Sequence, residues 1–278
     1  MTIPKIVFII PYRNRAKEKL HFSVYMKYIL EDYNEDDYEI YYSHQMNDKP
    51  FTRGGTKNIG FLVIKEKYPN DYKNITFVFN DVDTVPSEKN MLNYITKKGI
   101  VKHFYGFTYT LGGIFSIVGE DFETCNGFPN LFGWGIEDNA MNDRVISNNI
   151  KIDRSVFYPI RSREIINIVG DTRRIINNKD PEEYNKRKLI DNLNTIKNLE
   201  YNIVNNLENT KVNNSKEFII NIKKFDTLLN PLNDNFYVQD MFVDGKLHTN
   251  FLQKQRTREK WSMNRFLFNP NKSPDFLK

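Results

Sequence analysis

An α/β fold built on a mixed, mostly parallel sheet is predicted by the order of the apolar runs in this chain and by the polar residues that end them. Lys5-Ile-Val-Phe-Ile-Ile10 is strand length and almost wholly apolar, as suits a strand covered on both faces. Lys17–Glu31 reads as a helix, and Asp37–Ser43 as a second strand with Ile40 and Tyr42 on one side. In Thr56–Lys67 the residues Ile59, Leu62, Val63 and Glu66 recur at helical spacing, and Pro69 stands beyond the end. Ile75–Asn80 is a third strand, stopped by Asp81. The order strand, helix, strand, helix, strand implies crossovers and a ligand crevice at the carboxyl ends of the strands. Ile100–Tyr105 and Gly113–Val118 would complete the sheet, and Asn139–Asn148 is a helix with Met141 and Val145 turned to the core.

Composition narrows the class. A chain of 278 residues can bury a sizeable core, and 21 Phe with 16 Tyr make that core aromatic. A net charge of +5 is modest. In the basic run Lys254, Arg256, Arg258 and Lys260, the intervening Gln255, Thr257 and Glu259 point to a solvated face, which excludes nucleic-acid binding as the main function. One cysteine, Cys125, excludes an internal disulfide and fits a reducing compartment.

Two stretches carry chemistry. Phe77-Val-Phe-Asn-Asp-Val-Asp-Thr84 delivers Asp81 and Asp83 to the carboxyl end of a strand, and with Pro86 following, a turn can bring both toward one hard divalent cation. Such acidic residues also end ordinary strands as turn and capping residues. Phe128-Pro-Asn-Leu-Phe-Gly-Trp-Gly-Ile-Glu-Asp138 sets an indole between two glycines, a flat platform for a sugar ring, and places Glu137 and Asp138 in the first turn of a helix. A helix dipole favours an ionised carboxylate there, which makes a usable general base; a capped helix with a buried Trp134 is the plainer reading. Arg13 and Arg15 follow Pro11 at the end of the first strand, where a planar donor fork suits phosphate oxygens.

Four stretches together, Ile9-Ile-Pro-Tyr-Arg-Asn-Arg15, Phe79-Asn-Asp-Val-Asp-Thr-Val-Pro86, Leu111-Gly-Gly-Ile114 and Asn126–Asp138, resemble the beta-1,4-galactosyltransferase family in order and spacing. A weaker echo at Asp191-Asn-Leu-Asn-Thr195 extends the resemblance over residues 3–225. It implies a GT-A-like domain over residues 1–225, with 226–278 as an accessory C-terminal segment docked on it. It implies an inverting transferase that moves galactose or N-acetylgalactosamine from a UDP-sugar to a glycan or glycoconjugate hydroxyl, with UDP-glucose and UDP-xylose as further donors, and that needs Mn2+ or Mg2+. By the same resemblance Asp138 is the base, with Glu137 beside it. Pro11, Arg13, Arg15, Arg53, Asn58, Asp81, Val82, Asp83, Gly113 and Trp134 bind the donor, Arg13 being preferred to Arg15. Trp134, Gly135, Glu137 and Asp138 meet the acceptor, and Asp83 with Asp81 holds the metal. The alternatives are a retaining transferase of the polypeptide N-acetylgalactosaminyl type and a non-catalytic carbohydrate-binding protein.

This chain departs from the family pattern in places. The family's third metal ligand is a histidine after the Gly-Trp-Gly helix, whereas here no histidine stands between His103 and His248. Asp171 is the preferred replacement and His248 the other, while Arg173 could neutralise phosphate itself; residues 167–181, with Gly170, form a plausible lid. Gly54 and Gly55 differ from the family and could loosen the uridine pocket. Thr110, before the Leu-Gly-Gly turn, leaves room for an N-acetyl group, and Tyr105, Phe107, Tyr109 and Trp134 could offer stacking surfaces. Phe236, Tyr237, Phe242, Val243, Leu247 and Phe251 are too apolar for a disordered tail. The family is luminal and membrane-tethered, but the first apolar run is too short to span a bilayer, so a cytoplasmic enzyme is expected; a luminal domain without its anchor is the alternative.

Overall fold

The computed structural model describes residues 2–168, 173–177, 181–206, 216–240, 242–243 and 246–247. The chain opens with β1 (Ile6–Tyr12), α1 (Ala16–Ile29), β2 (Tyr38–Gln45), α2 (Arg53–Lys67) and β3 (Thr76–Asn80). There follow β4 (Thr84–Pro86), β5 (Ile100–Gly106), β6 (Ile114–Val118), α3 (Gly119–Thr124) and α4 (Glu137–Ser147). Short strands β7 (Lys151–Asp153), β8 (Tyr158–Pro159), β9 (Ile165–Asn167) and β10 (Arg173–Asn177) lead to α5 (Pro181–Ile190). The hairpin β11 (Lys197–Asn205) and β12 (Glu217–Asp226) returns to the sheet, and β13 (Phe236–Asp240), β14 (Phe242–Val243) and β15 (Lys246–Leu247) end the described chain.

The main sheet runs β11-β12-β2-β1-β3-β6-β5-β7, with β8 also on β5. β12, β2, β1 and β3 are mutually parallel, while β6 is antiparallel to both β3 and β5. The sheet is therefore mixed and mostly parallel, as the alternating helix and strand patterns predict. Every residue of β1 is buried, and alternation divides it between two cores. Val7 and Ile9 join Phe61, Phe77, Phe79, Phe115, Phe122 and Phe128 under α2, whereas Ile6, Phe8 and Ile10 join Phe22, Met26 and Tyr94 under α1. The chain leaves β1 for β2 on one side and returns as β3 on the other. That reversal opens a crevice at the carboxyl ends of β1 and β3, where Tyr12 gives way to Arg13 and Asn80 to Asp81.

The helix predicted from Thr56 begins earlier, at Arg53, because Thr52 caps it: its Oγ1 accepts the Gly55 N–H at 3.0 Å. Gly54 and Gly55 are thus in the first helical turn and buried, and they do not loosen a pocket. A Cβ on Gly54 would lie 2.1 Å from the carbonyl oxygen of Pro129, so glycine lets α2 approach the 128–130 segment closely. Beyond the main sheet, β13 pairs antiparallel with β10 from Arg173–Asp240 to Asn177–Phe236. Phe236 packs on the core and Tyr237 is partly exposed; the side chains of Phe242, Val243 and Leu247, and Phe251 altogether, lie outside the described residues.

Gly54→Ala should lower stability by about 1–3 kcal/mol, the cost of forcing atoms into a packed contact. Chemical denaturation checks this, and an unchanged midpoint and slope would mean that the helix and the Pro129 carbonyl are not in contact.

Candidate active site

The crevice is lined first by the acidic pair. Thr84 N–H donates to Asp81 O at 3.2 Å, closing a tight turn directly after β3, and Asp81 N–H is fixed by Gly113 O at 3.0 Å. The turn sets the two carboxylates near enough for the charge of Asp81 to act on Asp83. Burial, and then the charge of Asp81, push the Asp83 carboxyl above its ordinary range, while Arg53, Arg174 and Arg15 pull it down. Asn80 Oδ1 is buried nearby without a hydrogen-bond partner among the described residues. Two crowded carboxylates beside an orphaned oxygen fit a hard divalent cation. Among the described residues no third Asp, Glu, His or Cys completes a metal-binding group with them. Asp171 and His248, the two expected candidates for that role, lie outside the described residues, as do Gly170 and the rest of 169–172.

Arg53 stands between this pair and a second one. Its Nε lies 3.9 Å from Asp81 Oδ1 and its Nη1 3.8 Å from Glu137 Oε1. Burial works to lower its pKa, but the fields of Asp81, Glu137, Asp138 and Asp83 outweigh burial and raise it. Glu137 and Asp138 begin α4. The residue before them, Ile136, has φ of 73°, a left-handed conformation that strains a β-branched side chain by about 1–3 kcal/mol. Its packing against the core helps to hold it there and sets the direction of the helix start. Glu137 is 3% exposed, and burial, with the charge of Asp138 next, pushes its carboxyl up to about 7. The pairing with Arg53 is too long to cancel that burial. Asp138 is less enclosed and is held by Lys57, whose Nζ approaches its Oδ1 to 3.0 Å.

Lys57 was missed in the sequence. Its signal was the i, i+4 spacing from Arg53, which turns both cations to one face of α2 once the helix is started at the right residue.

The Gly-Trp-Gly loop is held from two sides. Gly133 N–H donates to Phe51 O at 2.9 Å and Trp134 N–H to Ile175 O at 2.8 Å, so the loop lies between the start of α2 and strand β10. Trp134 is half-buried beside Gly135, around whose Cα there is open space. Strand β10 in turn carries Arg174, whose charge is felt by Asp83.

Asn58, expected to bind the donor, is fully buried in another task. Its Nδ2 donates to Phe128 O at 2.7 Å and to Asn130 Oδ1 at 2.8 Å, and its Oδ1 accepts Phe128 N–H at 2.9 Å. Asn130 passes the chain of contacts on to Asp191 and Thr195, both within the weak echo noted in the sequence. Asn58 therefore supports the loop from beneath and does not face the crevice. Among the other expected residues, Pro11 is buried in β1 and Val82 in the core under α1. Arg13 turns to Lys49 O at 2.5 Å and feels Asp48, whereas Arg15, paired with Glu18 at 2.9 Å, is the one whose charge reaches Asp83. Tyr105 is buried in the core with its hydroxyl on Asn167, so its ring is not a stacking surface. Phe107 and Tyr109 are exposed and stacked on each other, centroids 5.3 Å apart. Thr110 is buried, with its Oγ1 on Phe107 O. No helix among the described residues is long and apolar enough to cross a membrane.

An α/β sheet with two carboxylate pairs bridged by an arginine at its topological switch point is a charged crevice where open sheets of this kind bind ligands. Residues 1–96 match the family model described as the N-terminal region of glycosyl transferase group 7, and residues 100–166 the model described as the N-terminal domain of galactosyltransferase. The two matches together cover more than half of the chain, which belongs to the glycosyl transferase group 7 family. It is 31% identical over 159 residues to Beta-1,4-galactosyltransferase 1 of Homo sapiens, covering 54% of this chain and 39% of that protein. To Xylosylprotein 4-beta-galactosyltransferase of Caenorhabditis elegans it is 28% identical over 159 residues, covering 54% of this chain and 53% of that protein. The chain thus spans about two-fifths to half the length of these curated relatives. The fold is that of the catalytic domain of Drosophila beta1,4galactosyltransferase 7, solved in complex with xylobiose: TM-score 0.62, 20% identity, covering 80% of this chain and 94% of that one. A mutant of that enzyme in complex with manganese, UDP-Gal and xylobiose matches at TM-score 0.61 and 19% identity, covering 80% of this chain and 94% of that one.

The raised Glu137 carboxyl has a measurable consequence. A group that binds its proton more tightly when folded stabilises the native state below its unfolded value of 4.5 and loses that contribution as pH rises toward about 7. Unfolding free energy should therefore fall across that window in the wild type and fall less in Glu137→Gln. Equal slopes for the two in denaturant titrations from pH 4.5 to 7 would show that Glu137 ionises normally.

Proposed function

We propose that this chain is an inverting glycosyltransferase that moves galactose or N-acetylgalactosamine from a UDP-sugar to a sugar hydroxyl of a glycan or glycoconjugate, with Asp138 as general base. The observation that carries this reading is the division of labour at the crevice. One carboxylate pair, Asp81 with Asp83, is surrounded by Arg53, Arg174 and Arg15, while a separate carboxylate, Asp138, stands at a helix start on the other side of Arg53. The mutant Drosophila beta1,4galactosyltransferase 7, solved in complex with manganese, UDP-Gal and xylobiose, supports the same assignment of substrates.

In this reading Asp83 and Asp81 would hold Mn2+ or Mg2+, which when bound adds positive charge at the departing diphosphate. Arg53, Arg15 and Arg174 orient the two phosphates and take up the charge that develops as UDP leaves. The acceptor oxygen attacks the anomeric carbon from the face opposite the phosphate and passes its proton to Asp138. The carbon–oxygen bond to the β-phosphate breaks with its electron pair on the phosphate oxygen, and the configuration inverts. No second acid is needed, because the diphosphate is already a stable anion. The half-buried Trp134 and the exposed Phe107–Tyr109 pair offer apolar ring faces for sugars.

Assays of UDP release and of product anomer test this, run over a donor panel with manganese, magnesium or chelator and over mono- and disaccharide acceptors including xylobiose. Asp138→Asn should lower kcat by about 10²–10⁴-fold with UDP affinity retained. Asp83→Ala should remove the metal-dependent part of UDP binding, and Arg174→Ala should weaken UDP binding by about tenfold. Full activity in chelator would remove the metal from the mechanism, and a product of retained configuration would remove Asp138 as the base.

A further inference from the structure

Lys57 is 1% exposed in the middle of the molecule, and a lysine is almost never so enclosed without a partner that needs it. Its ammonium makes two contacts of the right kind: Asp138 Oδ1 at 3.0 Å, and the face of Phe128, whose ring centroid is 4.6 Å away. Packing alone does not call for it. An apolar side chain of similar length would fill the same space in α2, beside Phe61 and Ile64, without the cost of stripping water from a charge. The other oxygen of the same carboxylate lies against the Leu-Gly-Gly turn, where a Cβ on Gly112 would come within 2.5 Å of Asp138 Oδ2. The turn is also tied to α4 through Leu111 N–H, which donates to Asp138 O at 3.0 Å. The carboxylate is therefore gripped at one oxygen and bordered by bare backbone at the other.

We propose that Lys57 is a positioning residue for the base: it holds Asp138 by Oδ1 and leaves Oδ2, beside the Gly112–Gly113 turn, as the oxygen that takes the acceptor's proton. The inference rests on the reading of Asp138 as base. Lys57 keeps its own proton throughout. The acceptor proton passes to Oδ2 and leaves to solvent once the product has gone. The grip also sorts two adjacent carboxylates into different tasks. Asp138 has a cation at 3.0 Å, whereas Glu137 is buried with its arginine at 3.8 Å and its Oε2 accepts the Gly135 N–H at 3.2 Å.

The test is a double-mutant cycle on the whole chain with Lys57→Met, Asp138→Asn and the double variant, using UDP-galactose, manganese and the best acceptor from the panel above. Lys57→Met should lower kcat about 10²-fold while KM for UDP-galactose and the dissociation constant for UDP stay within about twofold. The double variant should be no slower than Asp138→Asn, because a residue that acts through the base has nothing left to act on. Should Lys57→Met not fold, Lys57→Gln keeps a donor for Oδ1 without the charge and should fold with a smaller loss of kcat. Wild-type kcat in either Lys57 variant, or losses that multiply in the double variant, would overturn the proposal. An Asp138→Asn variant that turns over normally would instead overturn the reading beneath it, and the Lys57 proposal with it.

Discussion

Everything at the carboxyl end of this sheet is arranged around one electrostatic problem: four carboxylates, Asp81, Asp83, Glu137 and Asp138, crowd a partly dehydrated crevice. Like charges at such range disfavour one another, and burial disfavours each of them further. The structure answers with two cations from one helix. Arg53 sits among the four and Lys57, one turn on, takes Asp138. Both answers are partial. Asp83 and Glu137 remain pushed toward their neutral forms, although Arg174 and Arg15 add positive charge on the side of the acidic pair. A site left in that state is preorganised for a ligand that brings its own charge.

The scaffold that holds these charges is built from backbone polar groups and apolar packing, not from further ions. Thr52 starts α2 early enough to put Arg53 on its first turn, and the absence of a side chain at Gly54 lets the 128–130 segment lie against that turn. Asn58, Asn130 and Asp191 then fasten the segment from below, so that Gly133 and Trp134 reach the crevice between Phe51 and Ile175. A chain of buried amides and carboxylates satisfied in this way rigidifies a loop more than apolar contacts alone, because each group left unpaired would cost its full desolvation. The strand β10, paired with β13, completes the enclosure and brings Arg174 over the acidic pair.

Much of this was legible in the residues because it is local. An apolar run that stops at Asp81, a helical pattern with Pro69 beyond it, and a carboxylate pair at a helix start are all signals carried by neighbours in sequence. They determine the strand and helix order, hence the mixed, mostly parallel sheet and the end at which its crevice opens. Lys57 and the support role of Asn58 were not legible, since each depends on what meets it across 70 or more positions in the chain. A lysine in an amphipathic helix ordinarily reads as solvent-facing; only the packing of Phe128 and α4 against α2 closes water off from this one. Likewise Arg13 and Arg15 follow the same strand and look alike in sequence, and the path of the chain after Tyr12 turns one to Lys49 and the other toward Asp83. By itself, then, the sequence determined the elements and the carboxylates that end them, because hydrophobic periodicity and chain punctuation act over a few residues. Which cations face those carboxylates was decided by tertiary structure, because a charge is worth little in water and much in a buried crevice, and burial comes from the whole fold.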